Sequence, residues 1–282
     1  YMENLFTKTI DTMLEAVSSM EAGTLYYGST SLNGLSRDKR DPQVFDTGLH
    51  RLRFVPDDEE TAETWIMNCA LHCVGNGAAG TLVTGDYPYY MEKYINETAG
   101  ANFIMIQGAE LAISSESDSI VPDGELVQRF GGNYAKRIAG LGKELGRLAC
   151  SITDENAVSP SLNIRFREFI LPVENKILML ASKCGLLPHK VLRSGRKHCI
   201  VTEIGYMTLG NTIAVAIMPG EAAPEIFYGE ATAAEYSHEN WTGKAWDYPA
   251  INTLVGSRKL LVFGLTNDQI GYILTDNNWH SL

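Results

Sequence analysis

A chain of 282 residues, 45% apolar and 20% charged, is long enough to bury a substantial core and is globular in composition. Its longest uninterrupted apolar stretch, Ile213 to Met218, falls far short of the roughly 20 residues that a bilayer span needs, so no transmembrane segment is expected. A formal net charge of −11 repels a phosphate backbone, and the basic groups Arg37, Lys39, Arg40 and Lys190, Arg193, Arg196, Lys197 lack interleaved aromatics and are expected on solvated surface, which argues against nucleic acid as a partner.

Leu5, Phe6, Ile10, Met13, Leu14, Val17 and Met20 recur at spacings of three and four before Gly23, which predicts an amphipathic helix with a glycine stop. A Gly/Ser/Asn-rich connection follows; Leu49, Leu52, Phe54 and Val55 then predict a strand, and Asp57 to Glu60 a solvent turn. Trp65 to Val74 is the next apolar run, ending in the loop Gly75-Asn76-Gly77. Asp86-Tyr87-Pro88 puts an acidic residue before a proline in a first helical turn, and this helix is expected to reach Gly100. Asn102 to Ile106 predicts a short buried strand leading into Gln107-Gly108-Ala109, and a long helix is expected over Glu125 to Cys150. Leu162, Ile164 and Phe166 alternate with polar neighbours as in a half-buried strand. Cys199 to Met207 and Thr212 to Met218 read as a hairpin through Leu209-Gly210-Asn211, Pro224 starts a helix, and Lys259 to Phe263 is a final strand. Strands and helices are interspersed throughout, so the expected class is α/β or α+β, with a mixed β-sheet flanked by helices.

Five cysteines, an odd number spread over a long chain, make no disulfide framework and leave the compartment open. A structural zinc on Cys69, His72 and Cys73 is disfavoured: on a strand His72 points away from the two thiols, and no second cysteine pair completes four ligands.

Three segments share one organisation, an apolar run ending in a polar or glycine-rich turn that carries an oxygen or nitrogen ligand. They are Ala70-Leu71-His72, Ile217-Met218-Pro219-Gly220-Glu221 and Thr266-Asn267-Asp268-Gln269-Ile270-Gly271-Tyr272. Strand ends are where open sheets gather active-site groups, and histidine with carboxylate is a zinc donor set. Taken singly, each residue has a plainer reading: a satisfied core histidine at His72, a helix-start carboxylate at Glu221, a core or rim tyrosine at Tyr272.

Taken together, the segments resemble the neutral, non-lysosomal ceramidase family. Asn68 to Val74 resembles the family's apolar strand leading into His-Pro, and Thr84 to Tyr90 its Ser-x-Asp-x-x-Gly-Tyr helix start. Ile106-Gln107-Gly108-Ala109 resembles the run before its Gly-Asp-x-Ser-Pro loop; Pro219-Gly220-Glu221 matches its Pro-Gly-Glu, and Asn267 to Tyr272 its Asn-x-x-x-x-Tyr. The resemblance implies a single catalytic domain over residues 1–282. The start at Tyr1, without methionine and straight into a helical pattern, reads as a domain lacking its N-terminal segment, and Trp279 to Leu282 end without a cap.

It also implies a zinc-dependent amidohydrolase that cuts the N-acyl amide of ceramide-like lipids into fatty acid and sphingoid base, in a secreted or extracytoplasmic setting. The family's zinc is held by two histidines, a glutamate and a tyrosine. His72, Glu221 and Tyr272 carry over as ligands, with Tyr272 also placed to stabilise the oxyanion. The remaining histidine belongs to a His-x-His motif that precedes the region matching Tyr1; this sequence has none, and the motif is expected upstream. The family's catalytic serine falls on Ser114, and its Asn-Arg substrate site matches Arg37 loosely. Departures are Ala112 and Ser115 for the Asp and Pro around that serine, Cys73 for the proline after His72, and Tyr89 for a glycine. The altered serine loop keeps two alternatives in view: a zinc hydrolase of another N-acyl substrate, and a non-catalytic binding protein on a degenerated hydrolase fold.

Overall fold

The short apolar runs become strands at one end of each of two β-sheets, Asn102–Gln107 and Thr64–Cys69 in one and Lys259–Phe263 and Ile213–Ile217 in the other. The computed structural model describes residues 2–32, 34–75, 83–114, 134–186, 191–195, 197–236 and 243–278. One sheet contains β1 (Gly23–Ser31), β3 (Gly48–Pro56), β4 (Thr64–Cys69), β5 (Asn102–Gln107) and β7 (Glu155–Ala157), in the order β5-β4-β3-β1-β7. Its pairs are antiparallel except β4 with β5. The other contains β8 (Leu162–Pro172), β9 (Leu192–Ser194), β10 (Lys197–Leu209), β11 (Ile213–Ile217) and β13 (Lys259–Phe263), in the order β13-β11-β10-β8 with β9 also on β10. Here only β11 and β13 run parallel. Two short ribbons complete the set: antiparallel β2 (Arg37–Asp38) with β6 (Ile113–Ser114), and parallel β12 (Glu221–Ala222) with β14 (Tyr272–Ile273). The helices are α1 (Met2–Ser18), α2 (Asp86–Ala99), α3 (Tyr134–Cys150), α4 (Lys176–Lys183), α5 (Pro224–Tyr228) and α6 (Ile251–Leu254).

Side-chain alternation along the central strands dictates the layers. From β4, Trp65, Met67 and Cys69 join Tyr87, Met91 and Ile95 of α2 and Leu141, Leu145 and Leu148 of α3 in one core. Ile66 of the same strand faces the other way, into a second core with Ile213, Val215 and Ile217 of β11 and Leu261 and Phe263 of β13. Ala214 and Ala216, with Leu260 and Val262, turn outward onto Phe227 of α5 and Val255 beside α6. The result is helices, sheet, sheet, helices, with mixed pairing in both sheets, as the interspersed pattern predicts. Small residues let the first layer close: a Cβ at Gly142 of α3 would strike the Tyr87 carbonyl oxygen of α2.

Asn68 joins the two sheets where the site is built. Buried between them, its Nδ2 donates to the carbonyl oxygens of Ile106 on β5 (3.0 Å) and Val262 on β13 (2.9 Å). A buried amide paired on both sides specifies one register where an apolar contact would allow several.

Several expectations change or fall outside the described residues. β5 is a half-exposed edge strand rather than a buried one, and Leu162, Ile164 and Phe166 of β8 are exposed rather than half-buried. The Gly/Ser/Asn-rich connection after α1 is a nine-residue strand, β1, paired with β3 along its whole length. The described part of the long helix begins at Tyr134; residues 125–133 lie outside the described residues. The basic loop 37–40 is not simply solvated: Asp38 is buried, and Arg40 bridges it (2.8 Å) to Glu225 (2.6 Å), which ties β2 to α5. The predicted helix α1 forms, but its apolar stripe is exposed, from Leu5 at 48% to Met20 just past its end at 75%.

Candidate functional site

The parallel pair β4/β5 and the parallel pair β11/β13 deliver their C-terminal ends to one place. Past β4, the Tyr87 hydroxyl donates to the Leu71 carbonyl (2.8 Å), fixing the backbone immediately before His72. Past β5, Gly108 N donates to the Cys69 carbonyl (2.8 Å), so the loop toward Ser114 leaves alongside the loop toward His72. Past β13, Gly264 N donates to the Gln107 carbonyl (2.9 Å), and Met218 N to the Phe263 carbonyl (2.8 Å). Beyond β11, a Cβ at Gly220 would overlap the Gly271 carbonyl oxygen; the glycine of Pro219-Gly220-Glu221 is what lets β12 lie against β14.

These loops bring His72 and Glu221 together, Nε2 to Oε2 at 3.0 Å, with both side chains about one-fifth exposed. The other ring nitrogen, Nδ1, donates to the Ile113 carbonyl at 2.9 Å. A neutral imidazole has one N–H, and a carbonyl can only accept. With that proton committed at Nδ1, Nε2 presents a lone pair to Glu221, which is tolerable if the ring is an imidazolium, if the Glu221 carboxyl carries a proton, or if a cation lies between them. Donation of Nδ1–H to a backbone carbonyl is also the arrangement that orients a histidine whose Nε2 binds metal.

Tyr272 pairs with Glu221 in the β12/β14 register, which puts the two side chains on one face of the ribbon, and Tyr272 is 66% exposed. Ser114 pairs with Arg37 in the β2/β6 register and is 1% exposed, directly after the residue whose carbonyl binds His72. The five predicted site residues thus fall on two adjoining ribbons and the loop between them. Ser115 lies outside the described residues.

One residue escaped the sequence reading. Glu110 is 3% exposed, and among the described residues its Oε2 has no hydrogen-bond partner. Burial pushes its carboxyl up to about 7, with His72 pulling it down and Glu221 pushing it further up. The available signal was a single charge in the otherwise apolar run Ala109 to Ile113. The cysteines of the neighbourhood are inert: burial pushes the Cys73 thiol up to about 12 and raises that of Cys69 as well, and all five cysteines are free.

A second histidine–carboxylate pair lies on β3. The Tyr27 hydroxyl donates to His50 Nδ1 (3.0 Å), and His50 Nε2 donates to Asp46 Oδ2 (2.9 Å). Asp46 also accepts from Gly48 N (2.8 Å) and the Tyr228 hydroxyl (3.3 Å). Burial alone would raise its carboxyl, but the His50 hydrogen bond and charge, Lys259 and the Gly48 N–H together lower it to about 2.

Among the described residues no three His, Cys, Asp or Glu side chains converge as a ligand set, so a metal here depends on the His72–Glu221 pair and the neighbouring tyrosine. The donor types fit a zinc-class cation: an imidazole oriented through Nδ1, a carboxylate, a phenol in register with it, and an orphaned carboxylate oxygen behind them.

The layered mixed α/β arrangement recurs among solved structures. It is the fold of neutral ceramidase. A crystal structure of neutral ceramidase from Pseudomonas aeruginosa superimposes with a TM-score of 0.65 at 15% identity, covering 95% of this chain and 49% of that one. A ceramidase complexed with C2 superimposes with a TM-score of 0.61 at 16% identity, covering 91% and 49%. The chain therefore spans about half the length of the ceramidase chains it matches. No protein-family model matches it, and no curated protein matches it in sequence.

Proposed function

We propose that this chain carries most of the zinc site of an amidohydrolase that cuts N-acyl amides of ceramide-like lipids into fatty acid and sphingoid base. The observation that carries the reading is the His72–Glu221 contact, in which an imidazole committed at Nδ1 turns its second nitrogen to a carboxylate. The ceramidase fold supports the substrate class.

Zinc, when bound, supplies a Lewis acid for the amide carbonyl and lowers the pKa of water to about 7. The protein's part is assigned as follows. His72 and Glu221 hold the ion, with the Ile113 carbonyl fixing the ring and the Gly220–Gly271 approach fixing the ribbon. Tyr272, exposed beside Glu221, serves as a further ligand and hydrogen-bond donor to the developing oxyanion. Arg37 orients substrate from β2. Ser114, at 1% exposure, positions substrate or a proton, and water is the attacking group. No helix among the described residues is long and apolar enough to cross a membrane.

Release of fatty acid from N-acylsphingosines of short and long chain, measured with and without a chelator on the longest available polypeptide, tests the assignment. Chelator-sensitive release is expected, and Glu221→Gln lowers it by roughly 10³-fold, the scale of several kcal/mol of lost charge stabilisation. Activity that survives both treatments would remove the metal. Turnover of a different amide with no release from ceramides would replace the substrate.

A further inference from the structure

We propose that Glu110 is an outer-sphere carboxylate of a divalent cation held by His72 and Glu221. The inference rests on the metal reading of this site and adds a residue to it. Glu110 is 97% buried, since only 3% of it is exposed, and its Oε2 has no hydrogen-bond partner among the described residues. Burying a carboxylate without a partner is costly, and a second carboxylate in the same field raises the cost.

The backbone that carries Glu110 is held at the site on both sides. The Glu110 carbonyl accepts from Ile113 N (2.8 Å), closing the turn whose far end binds His72. The next residue, Leu111, donates its N–H to the Ala222 carbonyl (3.4 Å), one residue past Glu221. The backbone around Glu110 is thereby tied to both halves of the His72–Glu221 pair. Electrostatically its carboxyl feels those same two groups, attraction from one and repulsion from the other.

A cation at His72 and Glu221 resolves the conflict. It satisfies the lone pair at Nε2, neutralises Glu221, and gives the buried Glu110 charge a counter-charge. Glu110 acts from beyond the direct ligands, because no three acidic, His or Cys side chains among the described residues converge as a ligand set. Groups in that position change metal affinity by about 10- to 100-fold. Asp46, the other buried carboxylate beside a histidine, needs no such ion because its acceptors are filled by His50, Gly48 and Tyr228.

The test is zinc affinity of the longest available polypeptide that includes this chain, by competition with a chromophoric chelator, for the wild type and Glu110→Gln, with cobalt absorption spectra of both. The neutral amide should weaken zinc binding about 10- to 100-fold while leaving the cobalt spectrum unchanged, since the direct ligands stay the same. It should also raise the melting temperature of the metal-free chain, because a buried charge beside Glu221 is gone. Opposite signs with and without metal distinguish this role from plain packing. If Glu110→Gln does not fold, Glu110→Ala must show the same weakening in its place. Equal zinc affinity would overturn the inference, and so would a changed cobalt spectrum, which would make Glu110 a direct ligand. A wild-type chain that takes up no zinc would overturn the metal reading of the site and this inference with it.

Discussion

His50 and His72 both sit beside a carboxylate, 2.9 Å from Asp46 and 3.0 Å from Glu221, but their other ring nitrogens meet opposite partners. At His50 the second partner is a hydroxyl that donates; at His72 it is a carbonyl that accepts. A neutral imidazole therefore satisfies everything around His50 and cannot satisfy both neighbours of His72 while Glu221 is ionised. The carboxylates repeat the contrast. Asp46 accepts from three groups and is held down to about 2, whereas Glu110 Oε2 has no hydrogen-bond partner among the described residues and its carboxyl is pushed up to about 7. One cluster is satisfied by a neutral ring; the other calls for an added proton or a cation.

Substitutions should break the two clusters in different currencies. The largest effect belongs to the site: the roughly 10³-fold loss expected for Glu221→Gln appears in turnover and metal retention with little change in stability. Asp46→Asn should do the reverse, costing about 3 kcal/mol in urea unfolding by leaving a buried pair broken, with metal content unchanged. If Asp46→Asn also abolished metal binding, the two clusters would not be independent.

Acid sharpens the same contrast. The Asp46 carboxyl is lower in the fold than its ordinary value near 3.8, so its contribution to stability is full above that value and lost as pH falls through about 2. The size is about 2 kcal/mol, and the stability of wild type and Asp46→Asn should converge toward pH 2. A gap that stays constant from neutrality to pH 2 would refute the assignment of the low value to this pair. The smallest effect is expected at Ser114: replacement by alanine should leave metal content intact and lower turnover about tenfold or less, far from the roughly 10⁶-fold cost of deleting a serine nucleophile.

Much of this arrangement was legible in the sequence for physical reasons. β4, β11 and β13 are short apolar runs because both of their faces are covered, and runs of that kind announce themselves, whereas β5 is an edge strand with Ile104 exposed although its sequence reads as buried. His72 and Glu221 follow such runs, so their position at strand ends could be read directly. β1 could not, because Gly28, Ser29, Thr30 and Ser31 have the composition of a loop. Gly28 is there because a Cβ would meet Ile152 and Asp154, a constraint that exists only once β7 and its approach are in place. The fate of the α1 stripe was equally hidden: spacing predicts a helix with an apolar face and says nothing of what the face meets. Glu110 was missed because the lack of a partner is a property of three dimensions. Arg40 was misread for the converse reason, its partner Glu225 lying far along the chain.

The most direct measurement is a zinc titration of the longest available polypeptide that includes this chain, beside its His72→Ala and His50→Ala variants. Both substitutions remove an imidazole from a carboxylate at almost the same distance. Zinc binding that is lost with His72→Ala and retained by folded His50→Ala is the predicted result. Zinc uptake that survives His72→Ala, or fails to occur in the wild-type chain, would contradict the assignment of His72 and Glu221 as a metal site.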